Sequence, residues 1–475
     1  MGKLMNLIVQ KVYFWGDNML DSNFNRELKT IIHYIVEYGL KNVSFKMDSV
    51  KSLNGNQRNI EFISKVHKGF MKAQNLILHN LLQLGQKRIA IKKQIKDLNR
   101  QKSEKEIVEE LELKLKVIQY KELVMRKAAD AIAWPLLQND LTVIRRLYKH
   151  NPPVEIFNSN LKHDIEIAEK IFQEDNTTFP LISDLTSFIQ VADLLVNNFN
   201  DKTVGLIELK EGKVNEEIES IIDDFIKVKC ERKLYYPLSE KDRKFKNQFS
   251  RYVKQQTTAF KTLDIINKGE GKDETTGMEV KIINDTFYTQ HFDNIISKML
   301  KEVDKKNYSL RIFDECLIVG VYNTSKLPIH EGFELWKDSM KIDFPTFNFI
   351  NYIRDPLAFP LYLQPFSIDD IVKLINRQKT ILLTLDIYKW FEMFEKKGVK
   401  VHLLSKKETA RRNTVPSHSK VFEYNGQAIE FEYGNMKQII SGGMFERMFN
   451  QFLNPSSAVD FIKHTLTEGE KLYKN

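Results

Sequence analysis

Cysteine is almost absent. Cys230 and Cys316 are the only two in 475 residues, too few for a disulfide framework, and neither has the neighbours a zinc site needs. That scarcity fits a reducing, intracellular setting. No run of 18 or more apolar residues occurs, which excludes a conventional membrane-spanning helix. The cytoplasm is therefore the expected location, with no membrane partner. Several catalytic frames are also missing: G-x-x-x-x-G-K-[ST] for phosphates, a G-x-S-x-G elbow, and H-E-x-x-H for zinc. His402 and His418 stand outside any such frame and read as structural or exposed. The Gly-x-Gly of KGEGKDETT, 268–276, reads as a polar loop and not as a nucleotide cradle.

What is present is a long chain with a modest basic excess. A length of 475 residues exceeds one typical core, and a net charge of +9 is compatible with a polyanionic partner. Three segments are expected. Residues 1–150 form a mostly helical N-terminal region with a long helical arm, 151–325 an α/β domain, and 326–475 a C-terminal α/β domain. Between Gln57 and Ala133 there is no proline, and Ile91, Ile95, Leu98, Ile107, Leu111, Leu115 and Ile118 recur at helical steps. That pattern predicts a coiled-coil-like helical hairpin broken near Asn99–Ser103, a surface for a protein partner or a second copy.

Basic residues cluster in three places. Arg88, Lys92, Lys96 and Arg100 are four apart along the arm, where they either track a phosphate backbone or form a solvated coiled-coil face. Arg251 and Lys254 lie on a predicted helix at 239–266. Lys406, Lys407, Arg411 and Arg412 lie on an expected loop.

The most informative stretch is Asp184–Gly212, DLTSFIQVADLLVNNFNDKTVGLIELKEG. Its apolar runs Phe188–Val196 and Val204–Leu209, separated by polar Asn197–Lys202, predict two adjacent strands. Asp193 interrupts the first run, and Glu208 and Lys210 close the second. Two carboxylates and an ammonium sharing one corner suit divalent-metal chemistry, while the alternative for an E-x-K triplet is a surface salt bridge. Asp184 and, on a predicted helix at Leu161–Asp175, Glu169 are further acids that either join the site or serve as a turn cap and a solvated face.

These residues resemble the PD-(D/E)XK nuclease superfamily, whose core runs helix, strands carrying Asp and E-x-K, helix, strand. The resemblance covers residues 160–325, about a third of the chain. It implies an α/β fold with a restriction-endonuclease-like mixed sheet flanked by helices. It further implies that Asp193 and Glu208, with the Leu209 carbonyl, hold Mg²⁺ or Mn²⁺, and that Lys210 orients or activates the attacking water. Gln248 and Tyr252 fit a Q-x-x-x-Y pattern that some members place beside DNA. The implied function is a metal-dependent nuclease hydrolysing phosphodiester bonds of double-stranded DNA, an effector in bacterial defence against phage or foreign DNA. The alternatives are a repair or recombination nuclease and a non-catalytic nucleic-acid-binding scaffold.

Overall fold

The computed structural model describes residues 20–42, 55–101, 105–158, 161–201, 203–209, 212–273, 276–281, 287–324, 329–414 and 420–474. Lys210 and His418 fall outside them. Helix α1 spans Ser22–Val36, followed by the long helices α2 at Gly55–Arg100 and α3 at Lys105–Leu136, then α4 at Leu141–Leu147. Helix α5 is Leu161–Glu174, and strands β1 (Thr178–Ile182), β2 (Leu194–Asn198) and β3 (Thr203–Ile207) follow it. Helices α6 (Lys213–Val228), α7 (Glu231–Ser239) and α8 (Arg243–Lys268) come next, then a ribbon of β4 (Glu270–Lys272) and β5 (Glu279–Lys281).

The rest of the chain holds α9 (Asp293–Lys306), β6 (Tyr308–Phe313), β7 (Leu317–Asn323), α10 (Ile329–Ser339) and β8 (Phe347–Asn348). After these come α11 (Ile368–Ile375), β9 (Lys379–Leu385), α12 (Ile387–Lys396), β10 (Lys400–Leu403) and α13 (Lys406–Arg412). Strands β11 (Glu423–Tyr424), β12 (Gln427–Tyr433) and β13 (Met436–Ile439) and helix α14 (Pro455–Lys474) complete it.

The chain is mixed α/β, with small sheets and a long helical region near its N-terminus. In contrast to the expected mixed sheet, every ladder among the described strands is antiparallel. The described residues divide into two units: one gathers those of 20–36, 87–131 and 287–474, the other those of 37–86 and 132–281. Helices α2 and α3 each contribute residues to both.

In the first unit, a four-stranded sheet in the order β6-β7-β9-β8 forms the core. The runs LIVGVYN of β7 and KTILLTL of β9 are almost wholly buried, as central strands covered on both faces must be. Gly320 in β7 is required by crowding, since a Cβ there would meet the Tyr322 ring at 2.6 Å. Residues 310–321 form a hairpin, turned by Asp314 and Glu315 at φ 47° and 58°. Strand β9 gives way to α12 at Asp386, whose side chain accepts the Lys389 N–H and starts the helix there.

In the second unit, β1, β2 and β3 form an antiparallel meander. Helix α5 packs against β1. The outer edge of β1 is closed by a side chain of α2: Gln74 donates to the Pro180 carbonyl at 3.3 Å and accepts the Ile182 N–H at 3.0 Å. Pro180 has no N–H to offer, which suits this edge position.

Candidate functional site

The open end of the β2–β3 hairpin brings the two central acids together. Leu194 pairs with Ile207 at that end, and Asp193 stands just before β2 while Glu208 stands just after β3. The Asp193 N–H donates to the Ile207 carbonyl at 3.0 Å, so Asp193 and Leu194 both lie opposite Ile207. One residue more than the ladder accommodates takes Asp193 off the strand alternation. Its carboxylate instead accepts the backbone N–H of Leu209 at 2.5 Å. Asp193 and Glu208 are both half-buried.

The connection from β1 to β2 lies against the same end. Ser183 N–H donates to the Asp193 carbonyl at 2.9 Å, which places the single turn Ser183–Leu185, with half-buried Asp184, beside the hairpin mouth. Thr186 ties the turn together: its hydroxyl donates to the Ser183 carbonyl at 2.7 Å and accepts the Ile189 N–H at 3.1 Å. The predicted strand Phe188–Val196 is therefore extended only from Leu194. Gln190 fastens the irregular part to the segment after α4, accepting the Lys149 N–H at 2.9 Å and donating to the Asn151 carbonyl at 2.6 Å.

The acids of α5 sort by helical face. Glu169 and Glu166 are exposed, and Glu166 pairs with Lys162 at 3.8 Å. The buried acid is Asp164, which shares the inner face with Leu161 and Ala168. Its position at i+3 from one and i−4 from the other marks it in the sequence as an inner-face acid.

Gln248 and Tyr252 pack toward α6. Gln248 donates to Asn215 Oδ1 at 3.1 Å, and the Tyr252 hydroxyl donates to Glu219 at 2.9 Å. Tyr252 is 6% exposed in a cluster with Ile218, Ile221 and Phe245. Burial, with the Glu219 carboxylate beside it, pushes its hydroxyl up to about 12. Arg251 and Lys254 point outward and are exposed.

The other basic residues are placed as follows. Arg88 is only 13% exposed and forms an ion pair with Glu122 at 3.1 Å across the two arm helices. Steps of four drift around a helix by ~40° each, so Lys92, Lys96 and Arg100 share an exposed strip that Arg88 does not join. Lys406, Lys407, Arg411 and Arg412 are exposed on α13, a helix where a loop is expected. Its capping box explains the difference: Ser405 Oγ accepts the Glu408 N–H, and Glu408 accepts the Ser405 N–H.

Among the described residues, no group of three or more His, Cys, Asp and Glu side chains is arranged to hold a metal ion. Asp193, Glu208 and Leu209 lie together along the backbone at the hairpin mouth. No helix among the described residues is long and apolar enough to cross a membrane. No protein-family model matches the chain, and no curated protein or solved structure matches it.

Proposed function

We propose that the chain is a Mg²⁺- or Mn²⁺-dependent nuclease whose centre is the mouth of the β2–β3 hairpin. The observation that carries this reading is the 2.5 Å bond from the Leu209 N–H to the Asp193 carboxylate. It ties the acid before β2 to the middle residue of Glu208-Leu209-Lys210. Supporting it is the order of elements, a helix, a three-stranded antiparallel meander and a helix, in α5, β1–β3 and α6.

The donor set fits the cation proposed. Mg²⁺ is ordinarily held by one or two carboxylates together with waters and substrate phosphates, so Asp193, Glu208 and the Leu209 carbonyl are a sufficient protein share. Bound there, the cation would polarise the scissile phosphate and ease deprotonation of a water. The chain's own residues do the rest. Asp193 fixes the peptide joining Glu208 to Leu209, whose plane is rigid, and thereby holds the E-x-K backbone in place. Lys210 is proposed to orient the attacking water and to stabilise charge on the phosphoryl oxygens. Asp184 is the candidate for a third acid, because Ser183 of its turn is bonded to the Asp193 carbonyl. None of these groups reads bases, so sequence selection would fall to other surfaces.

A titration of Mg²⁺ and Mn²⁺ against linear, circular and single-stranded DNA and RNA tests the proposal. Metal-dependent cleavage that EDTA abolishes is the expected result, and no cleavage of any substrate with either ion overturns it.

A further inference from the structure

Nearly all of the chain's basic excess lies in one short stretch. Between Lys227 and Lys261 there are eleven lysines and arginines against three acids, a net +8 compared with +9 for the whole chain. This stretch forms the end of α6, all of α7 and most of α8. The three helices share a small core of Ile218, Ile221, Phe245 and Tyr252, with Leu234, Leu238 and Phe249 packed against it. Every cation of the stretch except half-buried Lys241 is exposed.

The same packing that buries Leu234 and Leu238 forces aromatic rings outward. These leucines are four apart and share the inner face of α7. Tyr235 and Tyr236 follow Leu234 by one and two residues, ~100° and ~200° around the helix, and so cannot face the core. They are 64% and 70% exposed. On α8, Phe260 is 70% exposed beside buried Ala259. Arg243, Lys254 and Lys261, at helical repeats of eleven and seven, form an outer row roughly 27 Å long at ~1.5 Å per residue. Lys246, Val253 and Phe260 run beside it at steps of seven, all exposed.

We infer that this face of α7 and α8 binds single-stranded nucleic acid, the cations following the sugar-phosphate backbone and Tyr235, Tyr236 and Phe260 stacking on unpaired bases. Lysine-rich helix surfaces are common and alone mean little. The exposed rings decide the class of partner: a stacking surface gains only from bases whose faces are free, which a duplex covers with neighbouring pairs. The inference rests on the nuclease reading only in making the unpaired strand its substrate. The binding surface is independent of cleavage.

The test uses the full-length chain in EDTA, so that no cleavage occurs. Fluorescence anisotropy with labelled oligonucleotides of about 20 residues, as single-stranded DNA, single-stranded RNA and duplex DNA, covers a few OB-sized binding lengths. Single strands are expected to bind at least about tenfold tighter than duplex. Tyr235→Ala with Tyr236→Ala should weaken single-strand binding about tenfold or more and leave duplex binding and the melting curve unchanged. Arg243→Gln with Lys254→Gln should weaken both and reduce the salt slope on single strands by about 1.4. A preference between the DNA and RNA arms identifies the sugar, and either supports the inference. No binding, equal binding of duplex, a tyrosine variant indistinguishable from wild type, or stronger binding to phosphatidylserine vesicles overturns it. Because binding is read without metal, a chain that binds but never cleaves sinks the nuclease reading alone.

Discussion

The carboxylate of Asp193 holds the backbone N–H of Leu209, at 2.5 Å, across the open end of a two-strand hairpin. A residue before one strand is thus fixed to a residue after the other. Two substitutions separate its local role from its proposed chemistry. Asp193→Asn keeps an oxygen acceptor for Leu209 and should change stability little. Asp193→Ala removes the acceptor from a half-buried amide and should cost about 1–2 kcal/mol by urea unfolding. Equal stability of the two variants would contradict the structural role.

Tyr252 is expected to hold α8 to α6. Tyr252→Phe keeps the buried ring and deletes only the hydroxyl bonded to Glu219, so unfolding should shift by about 1 kcal/mol with nucleic-acid binding and cleavage unchanged. A loss of cleavage at unchanged stability would instead place the hydroxyl on the substrate.

His67 makes the stability of its unit depend on pH. It is buried on α2, its Nδ1 3.1 Å from the Asn176 carbonyl and its ring 5.5 Å from that of Phe179. Burial holds its pKa down at about 4 against an ordinary 6.5. The unfolded chain therefore takes up a proton at a pH where the folded one does not. Stability is fully present above about pH 6.5 and falls as pH drops toward 4, by on the order of 3 kcal/mol at the lower end. Urea midpoints measured from pH 7 to pH 4 should show this decline, and His67→Phe should flatten it.

Lys379 is the buried cation of the other unit. Its ammonium bonds Asp370 at 2.7 Å, Asp304 at 2.9 Å and the Leu300 carbonyl at 2.5 Å. Lys379→Met leaves the buried Asp370 carboxylate without its cation and should cost roughly 3–5 kcal/mol in thermal or urea unfolding. Adding Asp370→Asn should recover part of that loss. A single variant as stable as wild type would show the network to be dispensable.

Helices with strong periodicity were the most legible elements. The predicted Leu161–Asp175 is α5 to within one residue, and α2 ends at Arg100, within the Asn99–Ser103 stretch that signals a break. The Asn425-Gly426 pair turns the β11–β12 hairpin at φ 52° and 76°, a conformation only such residues adopt cheaply. What the sequence hid has physical causes. Strand β1 contains Pro180, which argues against a strand unless the edge partner, here Gln74 from about a hundred residues earlier, is known. Asp193 reads as part of an apolar strand because Phe188, Ile189, Val191 and Ala192 are buried in irregular backbone. Arg88 reads as one of a basic stripe because spacing alone does not reveal Glu122 across the arm. The outward placement of Tyr235 and Tyr236 follows from Leu234 and Leu238 filling the inner face of α7, which the sequence alone does not reveal.

The central claim is that the hairpin mouth is a metal-dependent phosphodiesterase centre, and Glu208 tests it most directly. Cleavage of single-stranded DNA, single-stranded RNA and plasmid in Mg²⁺ is compared between wild type and Glu208→Gln, with Lys210→Ala beside it and equal melting temperatures as the control. The account predicts that wild type cleaves, that EDTA stops it, and that each variant falls by about a hundredfold or more. Cleavage that persists at the wild-type rate in Glu208→Gln, or a wild type inert with every metal, contradicts it.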